Sequence, residues 1–139
     1  MNTTTPFSLR LSLAQGLFDR GDFREAALAL AELVEEIEGA AARETTPTFD
    51  DGVLHGTDDL RLLLARAYYH SAQLGRAEVT LARITTESPT DAYAHLLLGR
   101  TLQRAGRHAE AARPLALAEI LGDYERPQVY GATTRSEAV

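Results

Sequence analysis

Cysteine is absent from the 139 residues, which excludes disulfides, thiolate metal sites and cysteine nucleophiles. Tryptophan is absent and aromatics reach only 6%, so aliphatic side chains must fill most of any core. Lysine is absent too, and all fourteen cationic side chains are arginine. Two readings of that stay open: a nucleotide-composition bias in the coding sequence, or selection for carboxylate recognition, which arginine performs bidentately and lysine does not. No run approaches ~18 consecutive apolar residues, so no bilayer-spanning segment is expected. Met1 to Pro6 has neither a basic n-region nor an apolar stretch, so it does not read as a signal peptide and a cytoplasmic location is expected. Positive charge is in short supply. A net charge of −6 argues against non-specific nucleic-acid binding, which needs a dense basic surface. It argues equally against a polybasic membrane anchor.

What is present favours helices. Alanine and leucine dominate a 45% hydrophobic composition, and Ala, Leu, Arg and Glu lead the helix scale. The length fits one domain spanning residues 1–139. Within it, two stretches superimpose at an offset of 34 residues. Leu64-Ala65 lies over Leu98-Gly99, Tyr68-Tyr69-His70 over Leu102-Gln103-Arg104, Ala77 over Ala111 and Leu81 over Leu115. A period of this length means stacked supersecondary units, because one unit cannot bury its own apolar face.

Along the chain, Pro6 is expected at the first position of helix 1, whose apolar stripe is Leu9, Leu13 and Leu17, flanked by Leu11 and Phe18. Gly21 ends it, and Asp22 is placed to cap helix 2. That helix shows Phe23, Ala26, Ala27, Leu30, Leu33, Val34 and Ile37 at helical spacing, with Gly39 as its stop. Residues 40–57 carry Pro47, Gly52, Gly56 and several threonines, so they read as a loop. Phe49, Val53 and Leu54 either tie it down or leave it mobile. Thr57 is the expected cap of helix 3, whose buried stripe is Leu60, Leu63, Leu64, Ala67 and Tyr68. A break near Ala72-Gln73 leads to helix 4, ending before Ser88-Pro89. Asp91 caps helix 5, Gly106 turns into helix 6, and Pro114 should bend that last helix. After about residue 133 a flexible tail is expected.

In these residues the chain resembles a tetratricopeptide repeat protein. That family's unit has a small residue in the first helix, an aromatic three later, a glycine at the turn, an aromatic two later, then an alanine and a closing proline, and three stretches follow it in order. They read Leu13-Ala14, Leu17, Gly21, Ala26; then Leu64-Ala65, Tyr68, Ala72, Ala77; then Leu98-Gly99, Leu102, Gly106, Ala111. Repeats of about 7–40, 58–91 and 92–125 follow, with 41–57 as an insertion. The family's tryptophan position holds Arg10, Arg61 and His95 instead. The resemblance implies an all-α fold, an α-solenoid of three antiparallel helix pairs wound as a right-handed superhelix.

It also implies a non-catalytic adaptor that binds a peptide or another protein in a concave groove lined by the first helix of each pair. Carried over, the groove residues are Leu11, Gln15 and Phe18; Leu62, Arg66, Tyr69 and His70; and Tyr93, Leu96, Arg100, Gln103 and Arg104. Helical spacing independently puts Leu62, Arg66, Tyr69 and His70 on one face, and Leu96, Arg100, Gln103 and Arg104 on another. Such a groove suits acidic groups together with aromatic or aliphatic anchors. Alternatively the arginines are solvated and pair with Asp59 or Glu110. The carboxylate clamp of chaperone-binding members is not matched, because Leu11, Gln15, Leu63, Tyr93 and Leu97 stand at its positions.

No catalytic constellation is legible. There is no nucleophile elbow, phosphate loop or paired-histidine metal motif, so no enzyme, cofactor or metal is expected. Asp50, Asp51 and His55 form a weak candidate cation cluster, and His95 and His108 read as packing residues. A second possibility is a self-assembling homodimer or client-holding subunit, using Leu115, Ala116, Ile120 and Leu121 of the last helix as an exposed patch.

Overall fold

Short apolar periods and three-residue turns set the architecture. The computed structural model describes residues 5–43 and 51–122, with side chains at 5–42 and 58–122. Among these the chain is entirely helical: α1 Phe7–Asp19, α2 Phe23–Arg43, α3 Asp51–His70, α4 Leu74–Glu87, α5 Ala92–Arg104 and α6 His108–Gly122. Each helix packs mainly on its neighbours in the chain, with a smaller contact between α3 and α5. The core is correspondingly divided. Ala14, Leu30, Leu33 and Leu64 belong to a cluster shared by α1, α2 and α3. Ala77, Leu81, Ile84 and Leu97 belong to one shared by α3, α4 and α5. Leu102, Ala111, Leu115 and Ala118 join α5 to α6.

The three hairpin turns share one hydrogen-bond pattern. The Asp22 amide donates to the Leu17 carbonyl at 2.8 Å and the Gly21 amide to Phe18 at 3.0 Å. Gln73 to Tyr68 and Ala72 to Tyr69 repeat this at 2.8 and 3.1 Å, and Arg107 to Leu102 and Gly106 to Gln103 at 2.8 and 2.9 Å. This Schellman geometry requires a left-handed residue after the helix. Gly21 has φ 87°, Ala72 61° and Gly106 80°. A left-handed alanine is strained by roughly 1–2 kcal/mol, so Ala72→Gly is expected to raise stability by about 0.5–1 kcal/mol in urea unfolding. Gly106→Ala should cost about 1 kcal/mol through backbone strain alone, since a Cβ there meets nothing within 4 Å. An unchanged midpoint in both variants would remove this account.

Several boundaries differ from the sequence reading. Pro6 is the N-cap of α1, at ψ 145°, one position earlier than expected. Its carbonyl accepts from Leu9 and Arg10 at 3.1 and 3.0 Å. Asp22 turns its carboxylate to Arg20 at 3.3 Å. Asp91 does cap α5, accepting from the Ala94 amide at 3.0 Å. The expected loop 40–57 is helical at both ends: α2 continues through Gly39 to Arg43, and α3 begins at Asp51. Thr57 is therefore internal to α3. A glycine costs a helix only about 1 kcal/mol, and Ala40, Ala41 and Ala42 after it are the best helix formers. The roles suggested for Phe49, Val53 and Leu54, and the tail after 133, fall on side chains or residues outside those described. α6 remains helical across Pro114.

The expected stripe on α1 holds for Leu17 and its flanking Leu11 and Phe18, but not for Leu9 and Leu13. Leu9 and Leu13 are 50% and 60% exposed, whereas Ala14 is fully buried. Phe7, Leu11, Leu17 and Phe18 pack around that alanine. The small residue lets α2 approach closely, and that contact fixes which face of α1 turns inward.

Candidate functional site

The first helix of each pair contributes to one continuous cluster of rings and guanidinium groups. The Arg66 guanidinium sits over the Phe18 ring, 4.8 Å from its centroid, which ties α3 to α1. Phe18 meets Phe23 edge-on at 5.0 Å and His70 at 5.9 Å. His70 stacks on Phe23 at 4.6 Å and 26°, and Tyr69 meets it edge-on at 5.4 Å. The Arg104 guanidinium lies 4.6 Å above Tyr69 and donates to the Tyr69 carbonyl at 2.6 Å, tying α5 to α3. Cation–ring contacts of this kind contribute about 0.5–2 kcal/mol each, more as water is excluded.

Two clefts open beside this cluster. One of about 280 Å³ is lined by Gln15, Phe18, Asp19, Leu63 and Arg66. The other, about 160 Å³, is lined by Tyr69, His70, Tyr93, Leu96, Leu97 and Arg100. Eight of the twelve groove residues expected from the sequence thus line one cleft or the other. Arg104 stands against Tyr69 at the edge. Leu11 and Leu62 instead pack on the cores beneath, and Gln103 is half-buried on α5. Phe23 was not expected here. Its only sequence signal is its place two residues after the Gly21 turn, where the ring faces the end of α3.

Five of the described arginines are paired with carboxylates. Arg10 pairs with Glu36 at 2.7 Å, and Arg107 pairs with Glu78 and Glu110. Arg61 and Arg83 form a closed square with Glu38 and Glu87. Arg61 reaches Glu38 at 3.0 Å and Glu87 at 2.9 Å, and Arg83 reaches the same two at 3.0 and 2.9 Å. Burial pushes the Glu87 carboxyl up, but hydrogen bonds from Arg83 and Arg61 outweigh it and hold the pKa low. Arg66, Arg100 and Arg104 have no carboxylate partner among the described residues. The pairing with Asp59 or Glu110 considered from sequence does not form: Glu110 is held by Arg107. The Arg66 Nε is sealed from solvent with no hydrogen-bond partner, which costs about 1–3 kcal/mol. His70 is pushed below its ordinary pKa by burial, then by the Arg66 and Arg104 charges.

The positions where the resembled family carries tryptophan are polar and satisfied. Arg10 and Arg61 enter the ion pairs above, and His95, buried, has its Nε2 2.8 Å from the Pro89 carbonyl. His108 does not pack as expected but is exposed at the start of α6. Leu115 is buried at 3% and not part of an exposed patch, since Gly99 leaves room for it. No group of three or more His, Cys, Asp or Glu among the described residues could hold a metal. The Asp50, Asp51 and His55 cluster lies outside the described side chains. No helix among the described residues is long and apolar enough to cross a membrane. Comparison with known proteins finds no matching family, curated protein or solved structure.

Proposed function

We propose that this chain is a short tetratricopeptide-like solenoid that acts in the cytoplasm as a non-catalytic adaptor. It docks a peptide or partner protein along α1, α3 and α5, without a cofactor. The observation that supports this reading is the row of Arg66, Arg100 and Arg104 beside two clefts. Among the described residues these arginines have no carboxylate partner, in a chain of net charge −6, while Arg10, Arg61, Arg83 and Arg107 are neutralised internally. Arginine forks suit carboxylates, and Phe18, Tyr69 and Tyr93 are the ring types that anchor interfaces. The partner therefore carries acidic groups with an aromatic or aliphatic anchor.

Capture from the native lysate by the intact chain, compared with an Arg66→Gln, Arg100→Glu, Arg104→Glu variant, tests this. A charged hydrogen bond contributes about 1.5–3 kcal/mol, so the variant should retain the partner at least ten-fold less well, with helicity unchanged by circular dichroism. Equal capture would sink the groove reading. A second reading, self-association through α6, rests on Ile120 and Leu121, which are 77% and 40% exposed. It requires a dimer in light scattering at high micromolar concentration, and a strict monomer removes it.

A further inference from the structure

His70 links the linings of the two clefts through its ring contacts. Its own ring lines the smaller one. Its edge contact is Phe18, which lines the larger. Two permanent cations act on it: Arg66, one turn earlier on α3, and Arg104 from α5. Arg100 of α5 shares its cleft. From α2 the contact is the uncharged Phe23 ring. The turn before that ring holds Arg20 and Asp22 as a mutual pair. α1 contributes Asp19 on the rim of the neighbouring cleft. No carboxylate among the described residues pairs with the three arginines, so a ring able to take a proton sits beside cations that form no ion pair. We propose that the clefts take an acidic peptide segment with uptake of one proton at His70, so that affinity rises as the pH falls. This rests on the docking reading above and adds a regulated ligand chemistry to it.

The sign follows from which state binds the proton. In the free protein, burial and the Arg66 and Arg104 charges disfavour the imidazolium, so His70 is neutral near pH 7. A ligand carboxylate seated among these arginines, within roughly 4–6 Å of the ring, favours the charged form. The proton comes from solvent and is taken up on binding. By linkage, affinity then increases as the pH drops through the bound-state pKa, and levels off below the free-state one, which lies under 6.5. Folding has its own dependence. Because the folded pKa is depressed, the stability His70 contributes is present above 6.5 and is lost as the pH falls through the folded value. Circular dichroism must therefore show an intact fold at the lower pH used.

The probe is a fluorescent peptide of Glu-Glu-Asp-Phe units repeated three times, read by anisotropy at about pH 7.5 and about pH 5.8, on either side of the ordinary histidine range. A control replaces its acidic residues by their amides. One unit of pKa shift corresponds to a factor of ten, so the expected gain at the lower pH is about three- to ten-fold. His70→Gln should bind with no such gain. His70→Phe, which keeps a ring against Phe23, should behave the same way if the glutamine variant does not fold. Equal wild-type affinity at both pH values overturns the proton linkage and leaves the docking reading standing. A gain that persists in both variants removes His70 from the linkage. Equal binding of the amide control overturns the acidic ligand. Absence of binding at both pH values overturns the docking reading and this proposal together.

Discussion

Gly99→Ala is expected to lower the folding free energy by about 2–3 kcal/mol, as overpacking of a tight core does. Gly99 is buried in α5, facing α6. A Cβ built there would come within 2.5 Å of the Leu115 Cγ and 3.4 Å of the Leu115 amide nitrogen. A flexible side-chain tip could move aside, but the branching carbon of Leu115 cannot without leaving its buried rotamer. The positions one and two repeats earlier carry Ala65 and Ala14, both fully buried. All three are points where the two helices of a pair come close. The last pair is the tightest and tolerates no methyl group. A double-mutant cycle isolates the cause. Leu115→Ala alone should cost about 2–5 kcal/mol. In that background Gly99→Ala should become nearly neutral, giving a coupling near 2 kcal/mol. If Gly99→Ala costs the same in both backgrounds, Leu115 is not what it strikes.

Arg61→Ala is expected to cost about 3 kcal/mol, with the same loss seen in urea and in thermal unfolding. The Arg61 side chain is 10% exposed, and its guanidinium lies between Glu38 of α2 and Glu87 of α4, with Asp58 of its own helix at 3.8 Å. Removing one member of a buried ion group leaves the opposite charges uncompensated, at about 3–5 kcal/mol when burial is complete. Glu87 and Arg83 are about half exposed, so water screens part of that penalty and the lower end applies. Arg61→Met, which refills the volume, should lose less than Arg61→Ala, and Glu38→Gln should reduce the damage from either. No rescue by Glu38→Gln would mean that packing, not charge, accounts for the loss. This square of two arginines and two glutamates clips α2, α3 and α4 together.

The turns were the most legible part of the fold. Gly21 and Gly106 mark left-handed residues because glycine takes that conformation freely. Ala72 could be placed there only by the 34-residue offset to Gly106, since alanine carries no such signal. The ends of α4, α5 and α6 were readable from Pro89, Asp91 and Gly106, where the chain chemistry is local. Gly39 misled, because a glycine penalty is small beside the packing of Ala29, Ala31 and Ile37 on the first core. Leu9 and Leu13 misled for a related reason. Their spacing is helical, but the spacing does not say which of two apolar stripes meets α2.

The candidate cleft residues were legible in part. Phe18, Arg66, Tyr69, His70, Tyr93 and Arg100 were named as what the resemblance implies, and helical spacing independently put Arg66, Tyr69 and His70 on one face. Phe23 and the ion pairing of each arginine were not legible. Whether Arg66 is paired or bare depends on carboxylates that are distant in sequence and are brought near, or kept away, by packing.

Taken alone, then, the sequence determined the helical class, the hairpin turns and the faces from which a groove can be built. These follow from residues within a few positions of one another, acting through periodicity, capping and backbone preference. The tertiary structure alone decided that Arg61 and Arg83 are neutralised while Arg66, Arg100 and Arg104 are not, that His70 lies under two cations and against Phe23, and that Gly99 admits Leu115. Each of these depends on distances between segments tens of residues apart, and Coulomb interactions and close packing act through distance in space, not along the chain.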